Sequence, residues 1–471
     1  MIPNEWRTER DALGDVRIPS GALWGAQTQR AVENFRISGR GFPRAFILAL
    51  AEIKRHASEA NAELAVLERD VADAIQAAAR EVIDGAHENQ FPVDVYQTGS
   101  GTSTNMNMNE VLARRATQLL HEREESARAV HPNDRKVHPN DHVNAGQSSN
   151  DVIPTAMHLS ALAGIDGMLL PAMETLHAAL QEKAEAFADI VKVGRTHLMD
   201  AAPLTMGQEF SGYAAQVGKG LHRIHQAREA LLELPLGGTA VGTGLNAHPE
   251  FAGRVIALLA KQTGLPLREA ENHFEAQAAR DAAVEASAAL KTVSVSLMKI
   301  ANDIRWMSSG PRAGLGEIHL PALQPGSSIM PGKVNPVLPE ALAMVCARVM
   351  GNDVTVTIAG QSGNFELNVM IPLIAVTLLE SIELLANAVH AFATRCIAGI
   401  EPRHEQLRQQ TDRNLMIITA LVPAIGHEAA AAIAQEAERS GRGIRDVALE
   451  RSGLTEEELD RLLGISPRAT R

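Results

Sequence analysis

The segment 326–336 reads Gly-Ser-Ser-Ile-Met-Pro-Gly-Lys-Val-Asn-Pro, and it places two hydroxyls, a lysine and an amide within nine residues. Gly326 and Gly332 allow sharp turns, while Pro331 and Pro336 stiffen the residues before them. Lys333 offers a fixed charge for a carboxylate and Asn335 an amide donor. Exposed backbone N–H groups in such a loop can form a nest for an anion. The plainer reading is a solvated loop with incidental polar residues. A second candidate is His197, since histidine is the residue type that exchanges protons near neutral pH. A lone histidine is more often structural.

Loops that do chemistry need a frame. The 27 residues 310–336 hold ten Gly and Pro. A structureless stretch of that length inside a compact protein is usually functional or mobile. Four more polar, non-periodic clusters stand out, at 97–109, 131–150, 194–208 and 235–248. Between these clusters, the stretches 44–84, 172–193, 275–309 and 373–398 contain no Gly or Pro and show apolar residues at three- and four-residue spacing, which predicts helices. The stretch 275–309 would reach about 50 Å as a helix. Helices of that length point to an elongated bundle that covers its faces by self-association. Strand signals are short, as at 190–193. The chain reads as mainly α. Past residue 402 helices shorten, Gly interrupts them, and Thr455 with Glu458 fits a capping box. The expected organisation is an N-terminal helical domain 1–144, a central long-helix bundle 145–402 and a small C-terminal domain 403–471.

Composition narrows the classes. The chain has 471 residues, so roughly two or three domains are expected. With 44 basic and 56 acidic residues, its net charge is −12, which argues against a general nucleic-acid or membrane surface. An anionic ligand must find a local positive pocket. The aromatic residues are 10 Phe, 3 Trp and 2 Tyr, too few for a base-stacking platform. Cys346 and Cys396 cannot make a disulfide framework or a thiolate metal site, and a reducing compartment is expected. No secretory signal is visible in the N-terminal sequence, and the apolar stretch 373–398 carries charges that fit a buried helix better than a membrane span. Gly242-Thr-Gly244 resembles a dinucleotide loop, but no alternating strand–helix pattern surrounds it. No phosphate loop and no His-Glu-x-x-His zinc motif occurs.

The segment 326–336 is similar to the signature of the fumarase/aspartase superfamily. The segments 24–30 (WGAQTQR), 98–110 (TGSGTSTNMNMNE), 136–144 (KVHPNDHVN), 146–151 (GQSSND), 194–201 (GRTHLMDA), 237–246 (GGTAVGTGLN) and 362–369 (SGNFELNV) resemble those of class II fumarases, over essentially the whole chain. His197 is the discriminating position, because aspartases carry glutamine there. Ser148-Ser149-Asn150 also resembles the fumarase pattern. Aspartate ammonia-lyase is the enzymatic alternative. A purely structural role, as in superfamily members recruited to the lens, is disfavoured by the presence of both Ser327 and His197.

The resemblance implies a three-domain fold with a central long-helix bundle forming a tetrameric core, and reversible hydration of fumarate to L-malate within the tricarboxylic acid cycle. It implies Ser327 as the base, His197 as the acid-side residue and Glu340 as the partner that orients the histidine. A serine is a poor base unless its alkoxide is favoured, which a nest of N–H groups and Lys333 would achieve. The bland alternative for Glu340 is a first-turn carboxylate favoured by the helix dipole. Substrate carboxylates would be held by Ser100, Thr102, Ser148, Ser149, Asn150, Thr196, Ser328, Lys333 and Asn335. Arg135, His138, Asn140 and Asp141 resemble the family's secondary anion site. His131-Pro-Asn-Asp134 duplicates His138-Pro-Asn-Asp141, and only the second copy stands at the right distance before Val143-Asn144 and Gln147-Ser148-Ser149-Asn150. The resemblance also implies sites built from three subunits of a homotetramer; no metal or cofactor and a cytoplasmic location are expected.

Overall fold

A computed structural model describes residues 5–126 and 136–463. The chain is mainly helical, as expected, and among the described residues strands pair only two by two. It divides into two compact units, each assembled from three stretches: Met1–Leu170, His222–Thr292 and Arg348–Leu384 form one, and Pro171–Leu221, Val293–Ala347 and Leu385–Arg471 the other.

In the first unit the helix Arg44–Glu63 is central. It packs on the helices Arg69–Ile83, Ser149–Gly164 and Phe251–Thr263, and its stripe of Phe46, Leu50, Ile53 and Ala57 is fully buried. Burying a side chain of that size stabilises by about 1.5–3 kcal/mol. The helix Ala26–Asn34 begins at Gly25, which has no capping side chain. Glu110, from the helix Thr102–Ser126, serves instead: its carboxylate accepts from the backbone N–H of Gly25 at 2.8 Å, Gln27 at 3.0 Å and Thr28 at 3.1 Å. A carboxylate there satisfies orphan donors and meets the positive end of the dipole.

In the second unit, strand Val191–Thr196 pairs with Met199–Thr205 in a hairpin with an irregularity between Val193 and Arg195. Gly194 lies within it; a Cβ there would stand 2.4 Å from the Ala202 carbonyl oxygen, so only glycine fits. The C-terminal helices enclose their own small core around Ile418, Leu421, Ile433 and Val447. The Thr455 capping box is present: Thr455 N–H donates to Glu458 Oε2 at 2.9 Å, and Glu458 N–H to Thr455 Oγ1 at 3.2 Å.

Two expected helices are broken. The stretch 44–84 is two helices, with Ala65 in the left-handed region (φ 56°) between them. The stretch 275–309 is a short helix, His273–Ala278, followed by Asp281–Met307, with Ala279 extended. At 27 residues the long helix spans about 40 Å rather than 50. In neither case does Gly or Pro mark the break. The helix Ile371–Arg395 matches its expectation, and the stretch 172–193 ends in strand after the helix Leu170–Ala186.

Candidate active site

In the first unit, two helix starts meet. Ser148 caps the helix Ser149–Gly164: its hydroxyl accepts from Asn150 N–H at 3.2 Å, while Asp151 Oδ1 accepts from Ser148 N–H at 3.0 Å in a capping box. The helix Thr102–Ser126 contributes its first residue. Ser100 Oγ is hydrogen-bonded to Thr102 Oγ1 at 2.8 Å, and Thr102 Oγ1 to Ser149 Oγ at 2.7 Å, giving a run of three hydroxyls. Asn150 Nδ2 donates to the Ala240 carbonyl at 2.8 Å, which ties this seat to the segment 237–246. The structure thus brings together Ser100, Thr102, Ser148, Ser149 and Asn150. Two helix N-termini with hydroxyls beside them suit a carboxylate.

In the second unit, the loop ahead of the helix Val337–Gly360 folds back on itself. Gly326 N–H donates to the Lys333 carbonyl at 2.7 Å, and Asn335 Nδ2 to the Gly326 carbonyl at 2.7 Å. A Cβ on Gly326 would lie 2.5 Å from that Lys333 oxygen. Inside this closed loop, Ser327 Oγ accepts two backbone N–H bonds, from Ile329 at 3.2 Å and Met330 at 3.0 Å. Those donors favour negative charge on the oxygen. Ser327 is half-buried, and Ser328 and Lys333 are exposed. Lys333 and Asn335 line a cavity of about 790 Å³ whose walls also carry Arg305, His319, Arg403 and Trp306.

His197 sits at the hairpin tip. It and Leu198 are the two residues between the paired Thr196 and Met199, and both have positive φ, 55° and 62°. Positive φ at both central positions is what a type I′ turn requires, and glycine or asparagine usually supplies it. Each non-glycine residue so held costs of order 1 kcal/mol. The strand below is anchored by charge. Arg195 Nη1 reaches Glu317 Oε1 at 2.6 Å and Lys192 Nζ lies 3.2 Å from Glu317 Oε2, with Glu317 fully buried. Thr196 and His197 are exposed, and Leu198 and Met199 are 68% and 70% exposed.

Glu340 stands in the first turn of the helix Val337–Gly360. Among the described residues, no hydrogen bond or ion pair joins His197 to Glu340 or to Ser327. His138, Asn140 and Asp141 come together in the turn Pro139–Val143: His138 Nδ1 accepts from Asn140 N–H at 3.3 Å and Asp141 N–H at 3.1 Å. Arg135 lies outside the described residues.

A family model described as "Lyase" matches residues 14–351, and one described as "Fumarase C C-terminus" matches 417–466. The fumarate hydratase class II of Nitrosomonas europaea is 52% identical over 457 residues, 97% of each chain. That of Mycobacterium tuberculosis is 53% identical over 465 residues, 98% of this chain and 95% of its own. The class II fumarase structure from Schistosoma mansoni superposes with a TM-score of 0.93 at 40% identity, over 98% of each chain. The chain belongs to the class II fumarate hydratase family. A structure titled fumarate lyase:delta crystallin, from Brucella melitensis and bound to cobalt, superposes with a TM-score of 0.90 at 43% identity, over 98% of each chain.

Within this class II fumarate hydratase scaffold, two buried charged residues beside the hydroxyl seat were not singled out from the sequence. Asp151 is fully buried. Besides the Ser148 N–H, it accepts from Gly237 N–H at 3.1 Å and Thr239 N–H at 3.0 Å, so one carboxylate caps a helix and fastens the 237–239 turn. Burial pushes its pKa up, against those three N–H bonds and the attraction of Lys54. Lys54 is the second. It lies in the apolar stripe of its helix, four residues after Leu50 and three before Ala57, and that periodicity was the signal that could have placed it inside. The two cysteines are buried and their thiols pushed up to about 12 by desolvation, which leaves them protonated and inert.

Proposed function

We propose that the protein interconverts L-malate and fumarate with Ser327 as base and His197 on the acid side. The observation that carries this is the pair of backbone N–H groups on Ser327 Oγ, which make a serine alkoxide accessible. The alkoxide takes the C3 proton, and the electron pair left behind spreads into the adjoining carboxylate as an aci-carboxylate. Lys333 and Asn335 are the donors for those oxygens, the largest expected term in the barrier. The C2–O bond then breaks, its electrons leave with the hydroxyl, and a proton from the His197 side makes that group water. The hydroxyl seat of Thr102, Ser148, Ser149 and Asn150 holds the substrate's carboxylate. Asn335 Nδ2 gives one of its two N–H donors to the Gly326 carbonyl, which leaves the other for substrate. The aspartase alternative is unsupported: the relatives above are fumarate hydratases, and His197 is histidine. Ultraviolet absorbance tests the reading directly. Fumarate should appear from malate and not from aspartate; the reverse result overturns it.

The same proposal includes a homotetramer with sites shared by three subunits. The helix Val337–Gly360 has a mean hydropathy of 1.3 over its apolar window, yet only 33% of that window is buried within the chain. Met344, Val354 and Ile358 are exposed along it. His197 faces solvent and bonds to neither Glu340 nor Ser327, as expected of a residue completed by another subunit. Mixing Ser327→Ala and His197→Asn proteins after mild dissociation should restore activity from an inactive pair. Fully active monomers in sedimentation would contradict this.

A further inference from the structure

Lys54 on the helix Arg44–Glu63 is fully buried, and among the described residues it makes no ion pair. Its Nζ donates to two neutral acceptors, Asn144 Oδ1 and Gln147 Oε1, each at 2.9 Å. Burying an ammonium without a carboxylate in contact is costly. Burial pushes this one down to about 7, against the opposing pull of Asp151. An apolar side chain of similar length would avoid that cost, so the reason for a lysine has to lie in what it holds.

It is one of three donors that meet on a single amide oxygen. Asn144 Oδ1 also accepts from Asn105 Nδ2 at 3.1 Å and from Asn109 Nδ2 at 3.2 Å. A carbonyl oxygen has two lone pairs, and a charge-assisted donor strengthens a contact that three N–H groups must share. Asn105 and Asn109 are one turn apart on the helix that begins at Thr102. Asn144 and Gln147 belong to the turn that ends at Ser148, and Asn144 Nδ2 donates to the Gln147 carbonyl at 3.0 Å. The helix Arg44–Glu63 grips that turn a second time, through Asn61 Nδ2 to the Ala145 carbonyl at 3.0 Å.

We infer that Lys54 is a positioning residue for substrate binding: through Asn144 and Gln147 it fixes the helix start carrying Thr102 against the one carrying Ser148 and Ser149. The 2.7 Å bond between Thr102 and Ser149 spans those two starts, and an error of about 1 Å between them breaks it. The inference rests on the proposed role of these hydroxyls in holding the carboxylate. Displacing the seat weakens ground state and transition state alike, so the effect belongs in KM.

The test compares Lys54→Met with Asn150→Ala in malate dehydration, with circular dichroism on both. Lys54→Met should raise KM for malate about tenfold or more while kcat stays within about threefold. Folded Lys54→Met enzyme with an unchanged KM overturns the inference, including where only its melting temperature falls. If Asn150→Ala also leaves KM unchanged, the failure belongs to the hydroxyl seat itself. If Asn150→Ala raises KM and Lys54→Met does not, the failure belongs to Lys54 alone. Where Lys54→Met does not fold, Asn109→Leu strips one donor from the Asn144 oxygen and keeps the lysine. Its KM should rise about threefold, and a wild-type value overturns the inference.

Discussion

The hydroxyl seat of the first unit and the hairpin and loop of the second are built on opposite plans. The seat stands on two helix starts, its hydroxyls bonded to one another, its Ser148 N–H held by the buried Asp151 and the turn before it held by the buried Lys54. Nothing in it needs an unusual backbone angle apart from glycine turns. The hairpin tip and the signature loop carry the groups proposed to handle protons, His197 exposed and Ser327 half-buried. There His197 and Leu198 sit in the left-handed region, and among the described residues Ser327 Oγ is bonded to backbone N–H groups alone. On the proposed assignment, binding falls to helix starts and proton handling to a strained turn and a folded-back loop. The difference teaches that a carboxylate needs fixed donors, whereas a base and an acid must admit substrate and then be shielded from bulk water.

That contrast can be broken most directly at His197. His197→Gln should lower kcat for malate dehydration by about 10²–10⁴, the usual worth of an acid–base group, with KM little changed. Near-normal kcat would take the histidine out of the mechanism and leave the hairpin without a chemical role. A smaller effect of the opposite kind is expected at the seat. Thr102→Val removes the hydroxyl shared with Ser100 and Ser149, and KM for malate should rise about tenfold while kcat changes little. A fall in kcat alone would mean the seat takes part in the transition state selectively, and the division of labour would be wrong. The smallest effect concerns strain. Leu198→Gly relieves a positive φ at the cost of a looser unfolded chain, and the net should be a gain of about 1 kcal/mol or less in thermal unfolding. A clear loss of stability would show that the exposed leucine is covered by another subunit.

Much of this was legible beforehand, and the rest failed for identifiable reasons. The segment 326–336 announced itself because Ser, Lys and Asn on a Gly/Pro-rich loop have few structural uses together. The Thr455 capping box was legible because its two bonds are local. The break at Ala65 was not, since an alanine forced into the left-handed region leaves no compositional mark; packing decides it. The N-terminal hairpin Trp6–Asp11 with Gly14–Pro19 escaped because the first strand is largely charged, and only Val16 and Ile18 of the second mark an apolar face. Lys54 and Asp151 escaped because charged residues are read as solvated until their periodicity is weighed. The turn that His197 occupies could not be foreseen either, for neither central residue is of the type such turns prefer.

The left-handed backbone at His197 reaches beyond strain. Histidine, asparagine and aspartate visit that region several times more often than other residues, and β-branched side chains almost never do. Threonine or valine at this position would have to break the turn before any question of reactivity arose. The menu of side chains from which selection can draw a proton donor here is therefore set by a dihedral angle. Evolution at this site works with a restricted alphabet, written by the hairpin rather than by the substrate.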